Sequence, residues 1–425
     1  MSKLDRRAFV RLLGGGAAGL VVFGCEDSGG SAAPTTSTGS TSTLVSGVDV
    51  PDPTDHLITR WRQDPFSRGS YSYLARGAQP EDRTVLAEPI GDRVFFAGEA
   101  THRVYPALVH GGYLSGRRAA TEVRMSGASS AIVIGAGAAG LAAAGLLAED
   151  GIETTILEAR DRTGGRVHSD RSLGSTVDLG ASWIQGVGGN PVTDLADRFD
   201  IERARSDYRN LVVRDGQGRF IDRNDVPDPW WVVADVELEY AADVEQLSPG
   251  AYDEGGLGSG GDVVFPAGYD QVTDALAEGL DIRLEQTVLA ISYDEDGVTI
   301  MTIDGETRTE VVIVTVPLGV LKAGDIIFDP PLPADKLGAI DRLGMGVLDK
   351  VYFKFDEPFW DRDVEFFGYL GPDLDRFAYW VNMTPYTGAP ILLAFHGGSA
   401  ADTIELMTDH DIIAEGVRTL RLMFG

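Results

Sequence analysis

Residues 131–140 read AIVIGAGAAG, a short apolar run followed by a turn with glycines at positions 135, 137 and 140. An alanine-rich stretch typical of a helix comes next (residues 141–149), and then a second apolar strand, TTILEA, with Glu158 at its end. Three such glycines allow a tight turn, close approach of the backbone to a pyrophosphate and close helix–strand packing, while the acidic residue can hold a ribose hydroxyl. The stretch therefore predicts a strand–turn–helix–strand unit that binds a dinucleotide.

The overall composition indicates a large globular protein with an acidic surface. The chain has 425 residues, 43% of them hydrophobic, so it can bury a sizeable core divided between two lobes. Its formal net charge of −29 argues against binding to nucleic acid and against electrostatic binding to anionic lipid. Cys25 is the one cysteine, which excludes an internal disulfide and a cysteine-based metal site, and we expect no metal of another kind.

The first 47 residues resemble a targeting signal and a tether more than a folded domain. Arg6 and Arg7 precede an apolar run that is too short to span a bilayer and is typical of a signal peptide (residues 1–25). Twin arginines suit export of a folded, cofactor-loaded protein. VFGC resembles a bacterial lipobox, so we expect Cys25 to be lipid-anchored in the cell envelope ahead of a Ser/Thr/Gly-rich linker (residues 26–47). The alternative is a leader whose cysteine is incidental.

A second block of motifs lies ahead of the glycine turn. FFAGEAT (residues 95–101) is an apolar strand with a glycine turn, and LVHGGYLSGRRAATEV (residues 108–123) is typical of a helix with a glycine-rich first turn. With GGR (residues 164–166) and GASW (residues 180–183), they resemble the FAD-dependent amine oxidases, the family of monoamine oxidases, polyamine oxidases and lysine-specific histone demethylases. The glycine turn alone would leave NAD and FAD both open, and one isolated glycine cluster is more often an ordinary turn. The resemblance extends over nearly all of residues 48–425 and implies FAD.

The order of the motifs differs from the order in that family, where the block at residues 48–124 follows the catalytic body. Residues 410–425 resemble the family helix that directly precedes this block, and residues 48–61 resemble its continuation. MSGASS (residues 125–130) would join the old C-terminal helix to the old first strand. We therefore expect a circular permutation with new termini in a helix-to-strand loop, since the termini of domains tend to be exposed and close together.

The resemblance implies an α/β fold, with a Rossmann-like FAD-binding lobe and a second substrate lobe of mixed sheet plus helices. The expected division is a permuted C-terminal flavin-binding segment (48–124, of which 48–84 pass between the lobes), a Rossmann unit (131–190), a shortened substrate-domain segment (191–264), FAD-lobe strands (265–320) and the substrate-domain sheet and helices (321–425). Residues 222–248 resemble two family segments fused across a gap of several helices, with PDPWW as the splice. Because those helices roof the substrate cavity, we expect a pocket that is open or closed by another surface.

Most of the candidate site residues belong to the implied FAD site. Glu158 would hold the adenosine ribose, the backbone of Val288 would meet adenine, and Glu99 would contact the ribityl or pyrophosphate region. Val109 would begin the helix whose amides face the flavin pyrimidine and stabilise negative charge there. The resemblance implies cofactor binding by Trp61, Gly98, Glu99, Val109, Gly135, Gly137, Ala138, Ala139, Gly140, Glu158, Ala159, Arg160, Gly165, Arg166, Gly180, Ala181, Ser182, Trp183 and Val288.

Lys350 is the first of two candidate catalytic residues. Strand alternation over residues 344–355 places it on one face with Leu348, Tyr352 and Lys354. The pattern alone favours a solvated face shared with Lys354, because lysines are almost always exposed. The resemblance instead implies that Lys350 holds a water at flavin N5 and assists oxidation by O2.

Tyr71 is the second candidate, and its neighbours bear on the cofactor. The resemblance implies that Tyr71 is one half of an aromatic pair that guides the amine to the flavin, although by pattern alone such a tyrosine more often packs in a core. Leu108 stands at the second position of the pair, which puts the polar selection of a second tyrosine in doubt. Ser70 stands where covalently flavinylated relatives have cysteine, which implies non-covalent FAD.

The function implied is oxidation of an amine by hydride transfer from its α carbon to flavin N5, with imine hydrolysis and reoxidation by O2 to give H2O2. The expected partners are a small-molecule amine and O2. Two alternatives stay open. One is a related FAD oxidoreductase on another substrate, such as an amino-acid oxidase or a desaturase. The other is a flavin-binding protein with weak or no turnover, because the roof segment is short.

Overall fold

The computed structural model describes residues 47–254, 258–372, 374 and 376–425. The predicted signal peptide, the twin arginines, Cys25 and nearly all of the predicted linker lie outside these residues. Within them the chain forms short strands and helices in alternation. This confirms the mixed α/β class that the sequence predicts.

The strands of the described residues are numbered here in chain order. They are β1 (Asp55–Ile58), β2 (Tyr71–Tyr73), β3 (Val94–Phe96), β4 (Ser130–Ile134), β5 (Glu153–Leu157), β6 (Ser169–Asp170), β7 (Val177–Asp178), β8 (Trp183–Ile184), β9 (Ala204–Ser206), β10 (Leu211–Asp215), β11 (Phe220–Ile221), β12 (Asp262–Val264), β13 (Asp281–Arg283), β14 (Val288–Asp294), β15 (Gly297–Thr302), β16 (Gly305–Thr309), β17 (Val311–Val314), β18 (Ile327–Asp329), β19 (Gly344–Gly346), β20 (Leu348–Lys354), β21 (Phe366–Leu370), β22 (Tyr379–Asn382) and β23 (Ile391–Gly397).

The α-helices are numbered in the same way. They are α1 (Pro80–Ala87), α2 (Val109–Ser126), α3 (Ala138–Glu149), α4 (Pro191–Arg198), α5 (Asp228–Val232), α6 (Leu238–Tyr240), α7 (Asp270–Ala277), α8 (Leu318–Ala323), α9 (Ala334–Arg342), α10 (Thr384–Thr387), α11 (Gly398–Glu405) and α12 (Asp409–Phe424). A π-helical turn (Val233–Glu237) joins α5 to α6, and 3-10 turns cover Glu99–Thr101, Val244–Gln246 and Pro249–Asp253. No helix in the described part of the chain combines the length and the apolar character needed to cross a bilayer.

The quoted stretch lies at the centre of a five-stranded parallel sheet in the order β13-β5-β4-β17-β3. Its central strands read as nearly continuous apolar runs because both faces of the sheet are covered. Val133 and Ile313 pack on one face against α2 and α3, while Ile134 and Val312 belong to the core on the other face. The predicted strand–turn–helix–strand unit is therefore observed, with α3 starting three residues before the alanine-rich stretch.

The second large sheet is mixed and has seven strands in the order β1-β20-β23-β22-β21-β10-β11. One face, with Phe353, packs against α12 and the other faces Leu179 and Trp183. Residues 48–84 were expected to pass between the lobes, but β1 pairs along β20 and belongs to this sheet. The remaining described strands form a four-stranded sheet (β16-β15-β14-β18), a three-stranded sheet (β8-β12-β9) and two two-stranded pairs, β19-β2 and β6-β7.

Candidate functional site

A cavity of about 1280 Å³ opens at the carboxyl edge of the parallel sheet, where Gly135, Glu158 and Thr315 follow β4, β5 and β17. Ligands of open parallel sheets bind at this edge. The cavity exceeds the roughly 300–1000 Å³ that suffices for a drug-sized ligand. Every predicted site residue except Gly140 lines it, including Lys350 and Tyr71. The fold therefore brings residues from across the chain to one space.

The glycine turn is shaped by backbone contacts that leave no room for side chains. Gly135 has a φ of 104°, in the region that favours glycine. A Cβ at Gly140 would lie 1.9 Å from the carbonyl oxygen of Gly135, so Gly140 lets α3 pack against the turn. Gly137 precedes α3, and no side chain caps the amides of the first turn at Ala138. These amides are suited to an anionic pyrophosphate.

Glu158 is 6% exposed at the end of β5 and its carboxylate is held by backbone amides. Its two oxygens accept from Ala136 N at 2.7 Å and Arg160 N at 2.9 Å. An ionised carboxylate has about four acceptor sites, so acceptor capacity is left for a ribose hydroxyl. Arg160 is itself fixed by two bonds of 2.8 Å to Asp64, a residue that sequence reasoning did not single out.

Glu99 lies in a buried ionic network next to the turn. Its carboxylate accepts from Arg166 at 2.9 Å, from Ser72 Oγ at 2.6 Å and from Ala107 N at 2.8 Å. Burial raises the pKa of Glu99, but the guanidinium of Arg166 and the Ser72 hydroxyl outweigh it and leave the pKa below its ordinary value. Arg83, which the sequence analysis missed, donates to the same Ser72 hydroxyl at 2.7 Å.

The N-terminus of α2 places a second set of backbone amides, not capped by any side chain, at the cavity. Leu108 precedes the helix and Val109 begins it, both line the cavity, and no side chain caps the first turn. A Cβ at Gly111 would lie 1.8 Å from the carbonyl oxygen of Tyr105, which explains the glycine in this turn. The positive end of the helix dipole thus faces the cavity, as the sequence predicts.

Lys350 is 3% exposed, so the solvated face favoured by strand alternation alone is wrong at this position. Its Nζ donates to Asp178 O at 2.6 Å, Gly180 O at 2.6 Å and Ser182 Oγ at 2.5 Å. Tyr352, on the same face of β20, is also buried, whereas Leu348 and Lys354, at the two ends of the strand, are partly exposed. The lysine therefore joins the seven-stranded sheet to the loop that carries GASW.

Burial and the neighbouring opposite charge have opposing effects on the pKa values of Lys350 and Asp178. Burial lowers the pKa of Lys350 to about 8, against the opposing effect of the Asp178 carboxylate. Burial also raises the pKa of Asp178 to about 6, against the opposing effect of Lys350. Asp178 is a further functional candidate that the sequence analysis missed, because its neighbour Lys350 is 172 residues away along the chain. Near neutral pH the site therefore holds a cation that readily loses its proton.

Tyr71 and Trp61 form part of the wall near Lys350. The Tyr71 hydroxyl donates to Leu238 O at 2.7 Å, and burial raises its pKa. The indole nitrogen of Trp61 donates to Leu179 O at 3.2 Å. Ser70 also lines the cavity, with its hydroxyl bonded to both backbone groups of Leu348. Tyr71 is thus tied to the segment that was expected to be short.

That segment forms one continuous helical run from α5 through the π-helical turn to α6. PDPWW is the start of this run, anchored by the fully buried Trp230, whose indole nitrogen donates to Tyr369 O at 3.0 Å. Asp235, Leu238 and Glu239 line the cavity from the run. The segment therefore supplies part of the cavity lining, including two acidic residues that the sequence analysis did not anticipate.

The chain is similar in sequence to a known protein family and to several known proteins. The sequence profile of the family described as flavin containing amine oxidoreductase matches residues 41–124, 138–254 and 251–425. The chain is 33% identical to Polyamine oxidase 4 of Oryza sativa subsp. japonica over 344 residues, which is 67% of this chain and 70% of that protein. It is 32% identical to Probable polyamine oxidase 4 of Arabidopsis thaliana, covering 69% of this chain and 71% of that protein. It is also 32% identical to human Lysine-specific histone demethylase 2, covering 69% of this chain but 44% of that protein.

Proposed function

Since the chain belongs to the family of flavin-containing amine oxidoreductases, we propose that it binds FAD non-covalently in the cavity at the edge of the parallel sheet and oxidises an amine there. The observation that carries the proposal is that one cavity combines two uncapped helix N-termini, the Glu158 carboxylate and the buried Lys350. The five-stranded parallel sheet would then be the Rossmann-like lobe.

The residues present fit a dinucleotide at one side of the cavity. The turn at Gly135 and Gly140 is so close-packed that a pyrophosphate would meet backbone amides rather than side chains. Glu158 keeps acceptor capacity for the ribose, and the start of α2 would stabilise negative charge on the ring system. Bound FAD would supply the redox chemistry, taking a hydride from the carbon next to the amine nitrogen and passing electrons to O2 to give H2O2.

Lys350 would serve that chemistry through its charge and its protons. Its pKa of about 8 means that the ammonium predominates at neutral pH but gives up a proton at small cost. It fixes the loop at Gly180 and Ser182 against the sheet and can order a water there by exchanging one of its three acceptors. We assign no side-chain base, so the neutral amine is the expected reactive form.

A cationic amine is the substrate that the opposite wall suits best. Asp235 and Glu239 line the cavity, the negative charge of Glu239 acts on Tyr71, and Tyr71 adds an aromatic surface. Carboxylates attract ammonium groups most strongly in a partly dry cavity, where the effective dielectric constant is low. Because relatives are named polyamine oxidases, we propose that amines with several charged nitrogens bind here.

We propose further that the chain is a circular permutation of the family order. The carbonyl oxygen of Phe424, at the end of α12, accepts from Gly47 N and Val48 N, both at 3.0 Å. The end of α12 therefore lies beside the start of the block at residues 48–124, as an ancestral connection between them would require. A variant that joins these two points and is opened within residues 125–130 should bind FAD like the original chain. Loss of folding in that variant would contradict the proposal.

Localisation is a separate proposal, supported by the sequence alone. We propose export by the twin-arginine route and lipid anchoring at Cys25, because Arg6 and Arg7 precede a short apolar run that ends in VFGC. Cys25→Ala should move the protein from the membrane fraction to the soluble fraction. A variant that stays in the membrane fraction would contradict the lipid anchor.

The decisive experiment on function is anaerobic mixing of the FAD-loaded protein with mono-, di- and polyamines and with amino acids. Bleaching of the flavin absorbance by an amine supports the proposal. Bleaching by amino acids alone favours the amino-acid oxidase alternative. Retained FAD that no amine or amino acid reduces would refute the proposal.

A further inference from the structure

Two carboxyl groups are buried together behind the cavity wall. Asp349 lies on β20, next to Lys350 but on the other face of the sheet, and is 0% exposed. Glu405 ends α11 and is 5% exposed. The two carboxyls hold consecutive backbone amides, Asp349 that of Trp61 and Glu405 that of Arg62, and therefore lie side by side. Two buried carboxylates side by side would repel each other strongly, so such a pair retains a proton.

The donors around the pair show which oxygen holds that proton. Asp349 Oδ1 accepts from Thr59 Oγ1 at 2.7 Å and from Trp61 N at 3.1 Å. Glu405 Oε1 accepts from Arg62 N at 2.7 Å and its Oε2 from Gln63 N at 3.0 Å. Asp349 Oδ2 is buried and receives no hydrogen bond. A proton on this oxygen would satisfy it, whereas a proton on either Glu405 oxygen would weaken a bond from a backbone amide.

We propose that Asp349 carries a proton on Oδ2, donates it to the carboxylate of Glu405, and with Glu405 forms a clamp that positions residues 59–63 in the cavity wall. The clamp receives one hydroxyl and three backbone amides from this short segment. Asp349 and Glu405 are positioning residues, since neither of them lines the cavity.

The segment held by the clamp reaches the cavity through Trp61. The Trp61 side chain lines the cavity and its indole nitrogen holds Leu179 O, next to the Gly180 carbonyl that accepts from Lys350. The Thr59 hydroxyl, which donates to Asp349, also accepts from Lys350 N at 2.8 Å. A shift of the clamp would therefore move both the Trp61 wall and the loop that Lys350 holds.

The other charged groups near the clamp have partners of their own. On the segment itself, Arg60 pairs with Asp409 of α12 at 2.6 Å and Arg62 with Asp402 of α11 at 2.9 Å. Asp64 pairs with Arg160, and Lys350 points to the cavity. His396 on β23 stands opposite Asp349; its Nε2 accepts from Phe377 N, and its buried Nδ1 has no hydrogen-bond partner. Burial lowers the pKa of His396, so it is neutral and does not compensate a second negative charge.

The clamp makes stability depend on pH in a defined direction. Burial and the nearby Glu405 carboxyl raise the pKa of Asp349 well above its ordinary value. The folded protein therefore binds the proton more tightly than the unfolded chain, and the stabilisation is lost as the pH rises through the raised pKa. Asp349→Asn removes this loss, because the amide keeps the Oδ1 acceptor and provides a permanent donor to Glu405.

The test compares the full chain with Asp349→Asn and Glu405→Gln. The midpoint of urea unfolding and the FAD content after gel filtration are measured from neutral to alkaline pH. We expect the stability and the FAD content of Asp349→Asn, relative to the original chain, to increase as the pH rises through the raised pKa of Asp349. Glu405→Gln should be less stable at every pH, since its amide group would face a backbone N–H. Asp402→Asn, a neighbouring carboxylate in an exposed pair, is the matched control and should leave the pH profile unchanged.

Two results would overturn the clamp. One is an Asp349→Asn chain whose stability follows the same pH profile as that of the original chain. The other is a Glu405→Gln chain as stable as the original, which would place the proton on Glu405. The unfolding midpoints test the clamp even if the protein fails to oxidise amines, so the inference does not depend on the proposed substrate.

Discussion

Lys350→Met should preserve the fold and the flavin but slow the reaction with O2. Lowering the pKa from 10.5 to about 8 means that the buried ammonium costs about 3 kcal/mol relative to water. Methionine removes this cost but withdraws donors from Asp178 O, Gly180 O and Ser182 Oγ, each worth about 1 kcal/mol net. The two contributions nearly cancel, so we expect the free energy of unfolding to change by less than about 2 kcal/mol.

The catalytic effect should be much larger than the effect on stability. Removing one preorganised electrostatic group from an active site typically slows the step that it serves by about 100-fold or more. The flavin is reduced anaerobically by light and then mixed with O2 in a stopped-flow instrument, and the return of its absorbance is followed. Lys354→Met is the matched control, because Lys354 lies on the same face of β20 but is partly exposed at its end. Reoxidation of Lys350→Met at the rate of the original chain would refute the role given to this lysine.

Three further predictions follow from single contacts. Gly140→Ala should abolish FAD binding, because its Cβ would lie 1.9 Å from Gly135 O. Gly145→Ala, on the same helix with open space around it, is the control and should bind FAD normally. A flavin absorbance spectrum of each purified variant measures the bound FAD. The free energy of unfolding of the original chain, relative to Lys350→Met, should rise by up to about 3 kcal/mol between pH 8 and 10.5, since unfolded Lys350 holds its proton more tightly than the folded form; urea titrations of both chains measure this difference. Glu239→Gln should raise KM for polyamines more than for monoamines, and equal effects on both would contradict a charge-based subsite.

The helical run over residues 228–240 shows what the sequence pattern leaves undetermined. The gap at PDPWW was expected to leave an open pocket or one closed by another surface. In the structure Trp230 packs beside Tyr369, and the run that follows brings Asp235 and Glu239 to the cavity, while the openness of the pocket stays a prediction. The path of this run depends on packing against β21 and β23, which the local sequence pattern does not reveal.

Local patterns in the sequence determined the glycine turn after β4 and the start of α2. AIVIGAGAAG specifies the strand, the turn and the helix start because its glycines act on neighbouring backbone atoms: the clash that excludes a side chain at Gly140 lies only five residues away. The start of α2 at Val109 is equally local, since its glycine-rich turn packs on Tyr105. Such short-range constraints are visible in the order of residues.

Tertiary structure alone decided the environment of the lysine and of the acid pair. Lys350 meets acceptors 168 to 172 residues away, and this burial turned a residue with the pattern of an exposed strand lysine into a cation with a lowered pKa. The clamp likewise joins Asp349 to Thr59, 290 positions apart in the chain. Burial and charge pairing of this kind depend on which distant segments the fold brings together, and alternation along one strand carries no information about them.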